Sequence, residues 1–308
     1  MSATAALAPR PVSGTWRCLW EAGAELGEGA LWSPRLQALW WVDILGRRLH
    51  QCDAHGEARR SWQFDEEVSA VAEGRGERLL LALRRGFARF APFEADAIPR
   101  YLHCPRQELP GNRFNDGKCD PQGRFWAGSM DFDAVAPTGT LYRFDADARC
   151  TPQDSGFPVC NGPAWSLDGR TLYFNDTVGA RTLAYDFDPA SGGVSGRRVW
   201  REWDRDADGL PDGMTTDAEG CLWIAHWGGS SVTRHDPVSG EELARIELPV
   251  TQVTSCAFGG PTLRTLFITS AAVGLDAAQR AAQPLAGGLF AVDLDVAGLP
   301  AAVYGGAP

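Results

Sequence analysis

A strand pattern that recurs six times along the chain constrains this fold more than any other feature. In each unit an apolar strand leads into a second strand. The first strands of these pairs are LWWVD (39–43), LLLA (79–82), RFWAG (124–128), LYFND (172–176), LWIA (222–225) and LFIT (266–269). The units start about 40 to 50 residues apart, which is the period expected of propeller blades.

A further short strand precedes each pair, and turns rich in Ser, Asp, Pro and Gly follow it, as at 120–123 and 217–220. No long apolar segment with helical periodicity competes with this pattern. We therefore predict an all-β fold, a single six-bladed β-propeller with four-stranded antiparallel blades around a central channel. The propeller domain is expected at residues 14–308, after a flexible tail at 1–13. The strand at 15–20 is expected to close the last blade.

Oxygen-bearing side chains recur at one offset before the turns that follow the predicted inner strands. Four units carry them, as Glu28, Asn115, Asn161 and Asp212. In the other two units the register leaves a choice between Val68 and Ser69, and between Thr254 and Ser255. Because the innermost strands of a propeller line its channel, we expect these side chains to converge there.

Two carboxylates and two amides in one place are costly unless a cation or hydrogen bonds compensate. An all-oxygen set is what a divalent cation such as Ca²⁺ or Mg²⁺ binds. Three protein oxygens would leave positions open for water or substrate. The alternative is that these side chains cap strand ends and line a wet channel without metal, since Asn and Asp are ordinary turn residues.

Four motifs stand in order along the chain, and a fifth run follows them. They are L-G-E-G (26–29), N-R-F-N-D-G-K (112–118), N-G-x-x-W-S (161–166), P-D-G-M (211–214) and the run T-S-C-A-F-G-G (254–260). Together they resemble the regucalcin/gluconolactonase family, the group of senescence marker protein, sugar lactonases and luciferin-regenerating enzyme. The resemblance covers nearly the whole chain from about residue 25 onwards, and it implies a six-bladed propeller with one divalent cation in its channel.

The resemblance also implies roles for five residues. The glutamate, asparagine and aspartate that bind the metal in the family fall on Glu28, Asn161 and Asp212. The arginine and asparagine that contact the sugar lactone fall on Arg113 and Asn115. The metal is left open among Fe²⁺, Zn²⁺, Mn²⁺, Mg²⁺ and Ca²⁺. One departure concerns substrate choice: the loop at 131–138 is shorter than in animal relatives, and the substrate-contacting glutamate of their loop has no clear match.

The activity implied by the resemblance is that of a sugar lactonase, a hydrolase of carboxylic ester bonds that opens a xylono-, glucono- or arabinonolactone to the aldonic acid. The cation would polarise the lactone carbonyl while water attacks the carbonyl carbon. Asp212 is the candidate general base, and a hydroxide on the cation is the competing nucleophile. Two alternatives remain: a non-catalytic metal-binding or interaction propeller, and an esterase or phosphotriesterase acting on another substrate.

Composition limits the partners. The chain has 29 Lys and Arg against 39 Asp and Glu, a net charge of −10, which argues against nucleic acid and anionic membranes. The sequence shows no signal peptide or membrane-spanning stretch. Its eight cysteines form no C-x-x-C pair, so we expect a cytoplasmic protein with reduced thiols. We expect a monomer, because a propeller ring leaves few free strand edges.

Two further groupings receive structural interpretations. The segment D-R-D-A-D (204–208) opens like an EF-hand loop, but Thr215 stands where the closing glutamate belongs, so we interpret it as a solvated loop. Among the histidines, His50, His55 and His235 are predicted to lie at the surface. His226 is predicted either to line the channel mouth or to be a strand-end histidine, at the surface or in a hydrogen bond.

Overall fold

Short strands rich in aromatic and branched residues pair into six four-stranded antiparallel sheets in the computed structural model, which describes residues 14–306. The tail predicted at 1–13 lies outside the described residues. In five of the six sheets the neighbouring strands follow one another directly in the sequence, as antiparallel pairing with short connections allows. Each sheet is one blade.

The first three blades follow one another along the chain. Blade 1 contains β2 (Gly27–Ser33), β3 (Ala38–Asp43), β4 (Arg48–Cys52) and β5 (Arg60–Gln63). Blade 2 contains β6 (Val68–Glu73), β7 (Leu79–Leu83), β8 (Gly86–Phe90) and β9 (Arg100–His103). Blade 3 contains β10 (Asn112–Cys119), β11 (Phe125–Asp131), β12 (Gly139–Phe144) and β13 (Cys150–Phe157).

The remaining blades complete the ring. Blade 4 contains β14 (Cys160–Trp165), β15 (Thr171–Asp176), β16 (Arg181–Asp188) and β17 (Gly193–Glu202). Blade 5 contains β18 (Leu210–Thr216), β19 (Leu222–Trp227), β20 (Ser231–His235) and β21 (Glu242–Glu247). Blade 6 contains β22 (Val253–Gly259), β23 (Thr265–Ser270), β24 (Leu289–Asp293) and the N-terminal β1 (Arg17–Trp20), with helix α1 (Ala277–Ala282) between β23 and β24.

The first strands of the blades form the inner wall of the ring. Each packs against the first strands of both neighbouring blades, from β2 through β6, β10, β14, β18 and β22 and back to β2. At the outer edge of blade 6, β1 pairs antiparallel with β24, with Arg17 opposite Ala291. The predicted six-bladed propeller is therefore confirmed, while the domain boundaries at 14–308 stay a prediction.

The hydrophobic core lies between adjacent blades, where aromatic and aliphatic side chains of facing sheets interdigitate. Trp223 of blade 5 meets Phe258 of blade 6 edge to face, with ring centroids 5.7 Å apart. All eight cysteines are free thiols, and five of them are buried. No helix within residues 14–306 is long and apolar enough to cross a bilayer.

The segment after β24 crosses one end of the ring. Its backbone bonds to the ends of first strands and to the turns that follow them: Gly298 N donates to Leu263 O at 2.7 Å, and Tyr304 N donates to Glu73 O, at the end of β6, at 2.7 Å. This end of the channel is thus covered by the chain itself. The oxygen-bearing side chains of the inner strands lie at the opposite end.

Candidate active site

The structure brings the five predicted site residues together on the inner strands, at the end opposite the C-terminal segment. Each is at most 5% exposed: Glu28 in β2, Arg113 and Asn115 in β10, Asn161 in β14 and Asp212 in β18. Burying this many polar groups requires that most of them find partners.

Hydrogen bonds link three of these side chains in a row across blades 3 and 4. Arg113 Nη1 donates to Asn115 Oδ1 at 2.7 Å, and Asn115 Nδ2 donates to Asn161 Oδ1 at 2.8 Å. Asn161 Nδ2 in turn donates to the hydroxyl of Thr177, at 2.9 Å. The two amides are therefore held in fixed orientations by their neighbours.

A register shift in the pairing of first and second strands lies beside every one of these residues. It falls between Glu28 and Leu31, between Phe114 and Gly117, between Asn161 and Ala164, and between Pro211 and Met214. Glu28 and Asn161 are the last paired residues before the shift, whereas Asn115 and Asp212 lie inside it. Such bulges re-aim side chains next to functional sites. Counting back from the turns did not reveal this difference.

Glycines make two of these bulges possible. Gly29 (φ 59°) and Gly162 (φ 48°) directly follow Glu28 and Asn161, in the left-handed region that favours glycine. A Cβ on Gly162 would stand only 2.8 Å from the carbonyl oxygen of Asp212. Backbone geometry therefore requires the second glycine of L-G-E-G and the glycine of N-G-x-x-W-S.

At four of the five site residues, all except Arg113, the preceding backbone carbonyl accepts a hydrogen bond from a side chain of the preceding blade. Before Glu28 the donor is Thr254, at 2.6 Å, and before Asn115 it is Ser69, at 2.6 Å. Before Asn161 the donor is Asn115 Nδ2, at 3.0 Å, and before Asp212 it is Thr177, at 2.7 Å. For the two blades whose register the sequence left open, Ser69 and Thr254 are the residues that take part.

The two carboxyl groups of the site lie in surroundings that disfavour their charge. Burial raises the pKa of Glu28 to about 8, and the negative charge of Asp116 adds to this, against the Gly29 N–H and Arg113. Burial also raises the pKa of Asp212 well above its usual range, helped by the charges of Glu28 and Asp116. Burial lowers the pKa of Arg113 to about 10, although the nearby carboxylates oppose the change.

Two polar atoms at the site have no hydrogen-bond partner within the described residues: Asp212 Oδ1 and Arg113 Nε. A buried polar atom without a partner calls for an explanation, and a bound ligand, ion or reacting group is one. No three His, Cys, Asp or Glu side chains among residues 14–306 are grouped so as to hold a metal. A cation at this site would therefore depend on the amide oxygen of Asn161 as well as on the two carboxylates.

The loop at 131–138 presents an aromatic ring to the site. Asp131 Oδ2 accepts hydrogen bonds from Val135 N at 3.0 Å and Ala136 N at 2.8 Å, so this carboxylate holds its own loop together. The ring of Phe132 lies 6.0 Å from the guanidinium carbon of Arg113 and 5.1 Å from that of Arg84. The loop therefore places an aromatic ring, not a carboxylate, beside Arg113.

Two histidine predictions are wrong. His50 is buried, stacked on Trp41 with ring centroids 4.3 Å apart, and His235 is fully buried. His226 is also fully buried, and its Nε2 and that of His235 both meet the hydroxyl of Thr233, at 2.6 and 2.7 Å. Sequence position placed these residues in outer strands, but the large aromatic side chains around them exclude solvent.

The fold and the site together define a six-bladed propeller with a buried, acid-rich polar site at one end of its channel. The chain matches, over residues 26–272, the family model described as SMP-30/Gluconolactonase/LRE-like region. It belongs to that family. The resemblance seen in the sequence motifs is confirmed.

Relatives cover almost the whole chain. The chain is 37% identical over 283 residues to YvrE of Bacillus subtilis (strain 168), a protein assigned as a sugar lactone lactonase. The match spans 92% of the chain and 96% of YvrE. It is 35% identical over 292 residues to regucalcin of Danio rerio, spanning 94% of the chain and 98% of that protein. The solved regucalcin of Agrobacterium tumefaciens str. C58, described as a calcium-binding protein, matches with a TM-score of 0.88 and 32% identity, over 97% of this chain and 99% of that chain.

Proposed function

We propose that the protein is a divalent-cation-dependent sugar lactonase that hydrolyses an aldonolactone to its aldonic acid. A family named for gluconolactonase and the name of YvrE support lactone hydrolysis in general. The observation that carries the proposal is that Glu28, Asn161 and Asp212 lie close together with Arg113 beside them, while Asp212 Oδ1 has no partner within the described residues.

The residues present fit a divalent cation. Glu28 and Asp212 supply carboxylate oxygens and Asn161 an amide oxygen, a donor set that suits Ca²⁺, Mg²⁺ and Mn²⁺ and admits Fe²⁺ or Zn²⁺. A double positive charge would offset the burial that raises the pKa of both carboxyl groups. When bound, the cation would supply Lewis-acid polarisation of the lactone carbonyl.

The side chains of the chain do the remaining work. Asp212 Oδ1, which has no partner of its own, takes a proton from the water that attacks the carbonyl carbon. The ring C–O bond then breaks, and the proton passes to the leaving ring oxygen, which becomes a hydroxyl. Asp212 has to be ionised to act as a base, and the charge of a bound cation would keep it ionised at neutral pH.

Arg113 and Asn115 orient the sugar in this proposal. The Arg113 Nε–H is buried without a partner, so it is free to donate to a hydroxyl or ring oxygen of the lactone. Asn115 holds the guanidinium through its Oδ1. The ring of Phe132, beside Arg113, offers an apolar surface to the carbon face of the sugar.

The test is hydrolysis of xylono-, glucono- and arabinonolactones at pH near 7, corrected for spontaneous ring opening, with and without a chelator. We expect turnover that the chelator removes and an added divalent cation restores, and metal analysis of the native protein identifies the ion. Lactone hydrolysis at an unchanged rate in chelator would refute the dependence on a divalent cation. Turnover of aryl esters or phosphotriesters alone would refute the substrate class, and no turnover at all would favour a binding protein.

A further inference from the structure

One hydroxyl group is hydrogen-bonded both to the side chain of Asn161 and to the backbone just before Asp212, two proposed cation ligands. Resting on the proposed function, we propose that Thr177, directly after β15, is a positioning residue that sets the orientation of Asn161 and the place of Asp212. Thr177 is 6% exposed. It contacts neither substrate nor cation in this proposal, and acts only through the two ligands.

The hydrogen-bond pattern leaves Asn161 a single orientation. Thr177 Oγ1 lies 2.7 Å from the carbonyl oxygen of Pro211, which can only accept, so the single hydroxyl hydrogen is committed there. Oγ1 can then only accept from Asn161, at 2.9 Å, which requires that the NH₂ group face Thr177. The amide oxygen Oδ1 must therefore point away from Thr177. It accepts one bond from Asn115 and keeps a second lone pair for a cation.

The same hydroxyl holds the backbone on which Asp212 stands. Inside the bulge of β18 the ladder to β19 is interrupted between Pro211 and Met214. The two carbonyls at this point are met by side chains of blade 4 instead: Thr177 donates to Pro211 O, and Asn175 Nδ2 donates to Asp212 O. The Asn175 amide is fixed in turn by the hydroxyl of Thr182, which donates to its Oδ1 at 2.6 Å.

Comparison with the other blades shows what Thr177 adds. Before Asn161 the preceding carbonyl is met directly by Asn115, an inner-strand residue of the neighbouring blade. Before Asp212 the corresponding inner-strand residue is Asn161, and it reaches the Pro211 carbonyl only through Thr177. Inserting a hydroxyl between the two lets the Asn161 amide lie at the site and still anchor the next blade.

Removing the hydroxyl should cost metal affinity more than stability. Thr177→Val keeps the shape but leaves the Asn161 NH₂ and the Pro211 carbonyl without this partner, and the amide can then turn. Residues that orient metal ligands typically contribute about 10–100-fold to metal affinity. The matched control is Thr216→Val, at the other end of β18. Thr216 is 7% exposed, and its hydroxyl donates to Trp165 O at 2.9 Å, again between blades 4 and 5.

The experiment titrates Mn²⁺ into chelator-treated wild type, Thr177→Val, Thr177→Ser and Thr216→Val by calorimetry, with thermal melting in parallel. We expect Thr177→Val to bind Mn²⁺ roughly 10–100-fold more weakly, and Thr177→Ser and Thr216→Val to bind as wild type does. Unchanged affinity in Thr177→Val, or an equal loss in Thr216→Val, would overturn the proposal. Thr177→Ala replaces the valine variant if that protein does not fold.

A failure of the proposed function has a different signature. Wild type that binds no divalent cation would refute the cation-dependent lactonase. The positioning role is then decided by a crystal structure of Thr177→Val. A turned Asn161 amide or a displaced Asp212 supports the role of Thr177, and an unmoved pair overturns it.

Discussion

Asp212 lies near the start of β18 and Asp217 directly after its end, and the two buried carboxyl groups have opposite surroundings. Asp217 Oδ1 accepts from Glu219 N at 2.9 Å and Cys221 N at 3.0 Å. Its Oδ2 accepts from Trp223 Nε1 at 2.9 Å and Arg234 Nε at 2.7 Å. Asp212 Oδ1 has no partner within the described residues.

This difference separates a structural carboxylate from a functional one. A buried carboxylate with four donors, one of them an arginine, holds its turn and strand together. A buried carboxylate oxygen without a donor costs free energy, which makes Asp212 Oδ1 a candidate for contact with a ligand or a reacting group. In the sequence both residues are an Asp close to a glycine; the offset from the turn singles out Asp212, and the pattern of partners supplies the physical difference.

The largest expected effect is that of Asp212→Ala on turnover. We expect lactone hydrolysis to fall by at least about 10³-fold, because a general base contributes roughly 10²–10⁴-fold and the same side chain is a proposed cation ligand. The variant should fold, and without cation it should unfold at a urea concentration equal to or above that of wild type. The measurements are kcat/KM on the best lactone of the panel and urea unfolding with chelator. Near-normal hydrolysis by Asp212→Ala would remove this residue from the mechanism.

The second effect is that of Asp217→Ala on stability. Removing one partner of a buried ion pair costs about 3–5 kcal/mol, and Arg234, which is 2% exposed, would keep only Glu219. We expect the free energy of unfolding to fall by this amount in urea, while the folded protein keeps wild-type turnover.

Asp217→Asn, which retains an acceptor for the backbone N–H groups, serves if the alanine variant does not fold. A loss of turnover without a loss of stability at position 217 would contradict the division of roles along β18.

The repeat predicted much of this molecule. Six strand pairs fixed the number of blades, and the offset before the turns identified Glu28, Asn115, Asn161 and Asp212 as neighbours in space, because inner strands of a propeller must converge. Arg113 came from the family resemblance alone. These predictions depended on patterns that the chain carries locally and repeats. The monomeric state, the cytoplasmic location and the choice of sugar lactone stay predictions.

Contacts between distant segments could not be predicted in this way. Asn175 and Thr177 belong to a second strand and its turn, and their partners lie in another blade. The burial of His50 and His235 follows from packing against Trp41 and Trp203, which no local pattern encodes. Asn115 and Asp212 lie inside the bulges of their strands, whereas Glu28 and Asn161 lie just before theirs. This difference too is a property of strand pairing, not of spacing.

The smallest effect is a pH dependence of stability in the chelated protein. Glu28 and Asp212 have raised pKa values in the folded state, about 8 for Glu28, so the folded protein binds protons that the unfolded chain releases near pH 4.5. Their contribution to stability is present below that pH and is lost as the pH rises towards about 8. We expect Tm to fall by about 3 °C or more between pH 6.5 and 8.0 in chelator.

The pH window and the variants separate this effect from other groups. Burial lowers the pKa of His50 to about 4 and of His226 and His235 to about 3, so these side chains weaken the fold only below about pH 6.5 and are silent above it. Asp212→Asn should flatten the fall in Tm because one buried charge is gone, whereas Asp217→Asn should keep the wild-type slope. An equal fall in Tm with pH in wild type, Asp212→Asn and Asp217→Asn would mean that burial does not raise the pKa values of Glu28 and Asp212. The contrast between Asp212 and Asp217 would then have no electrostatic basis.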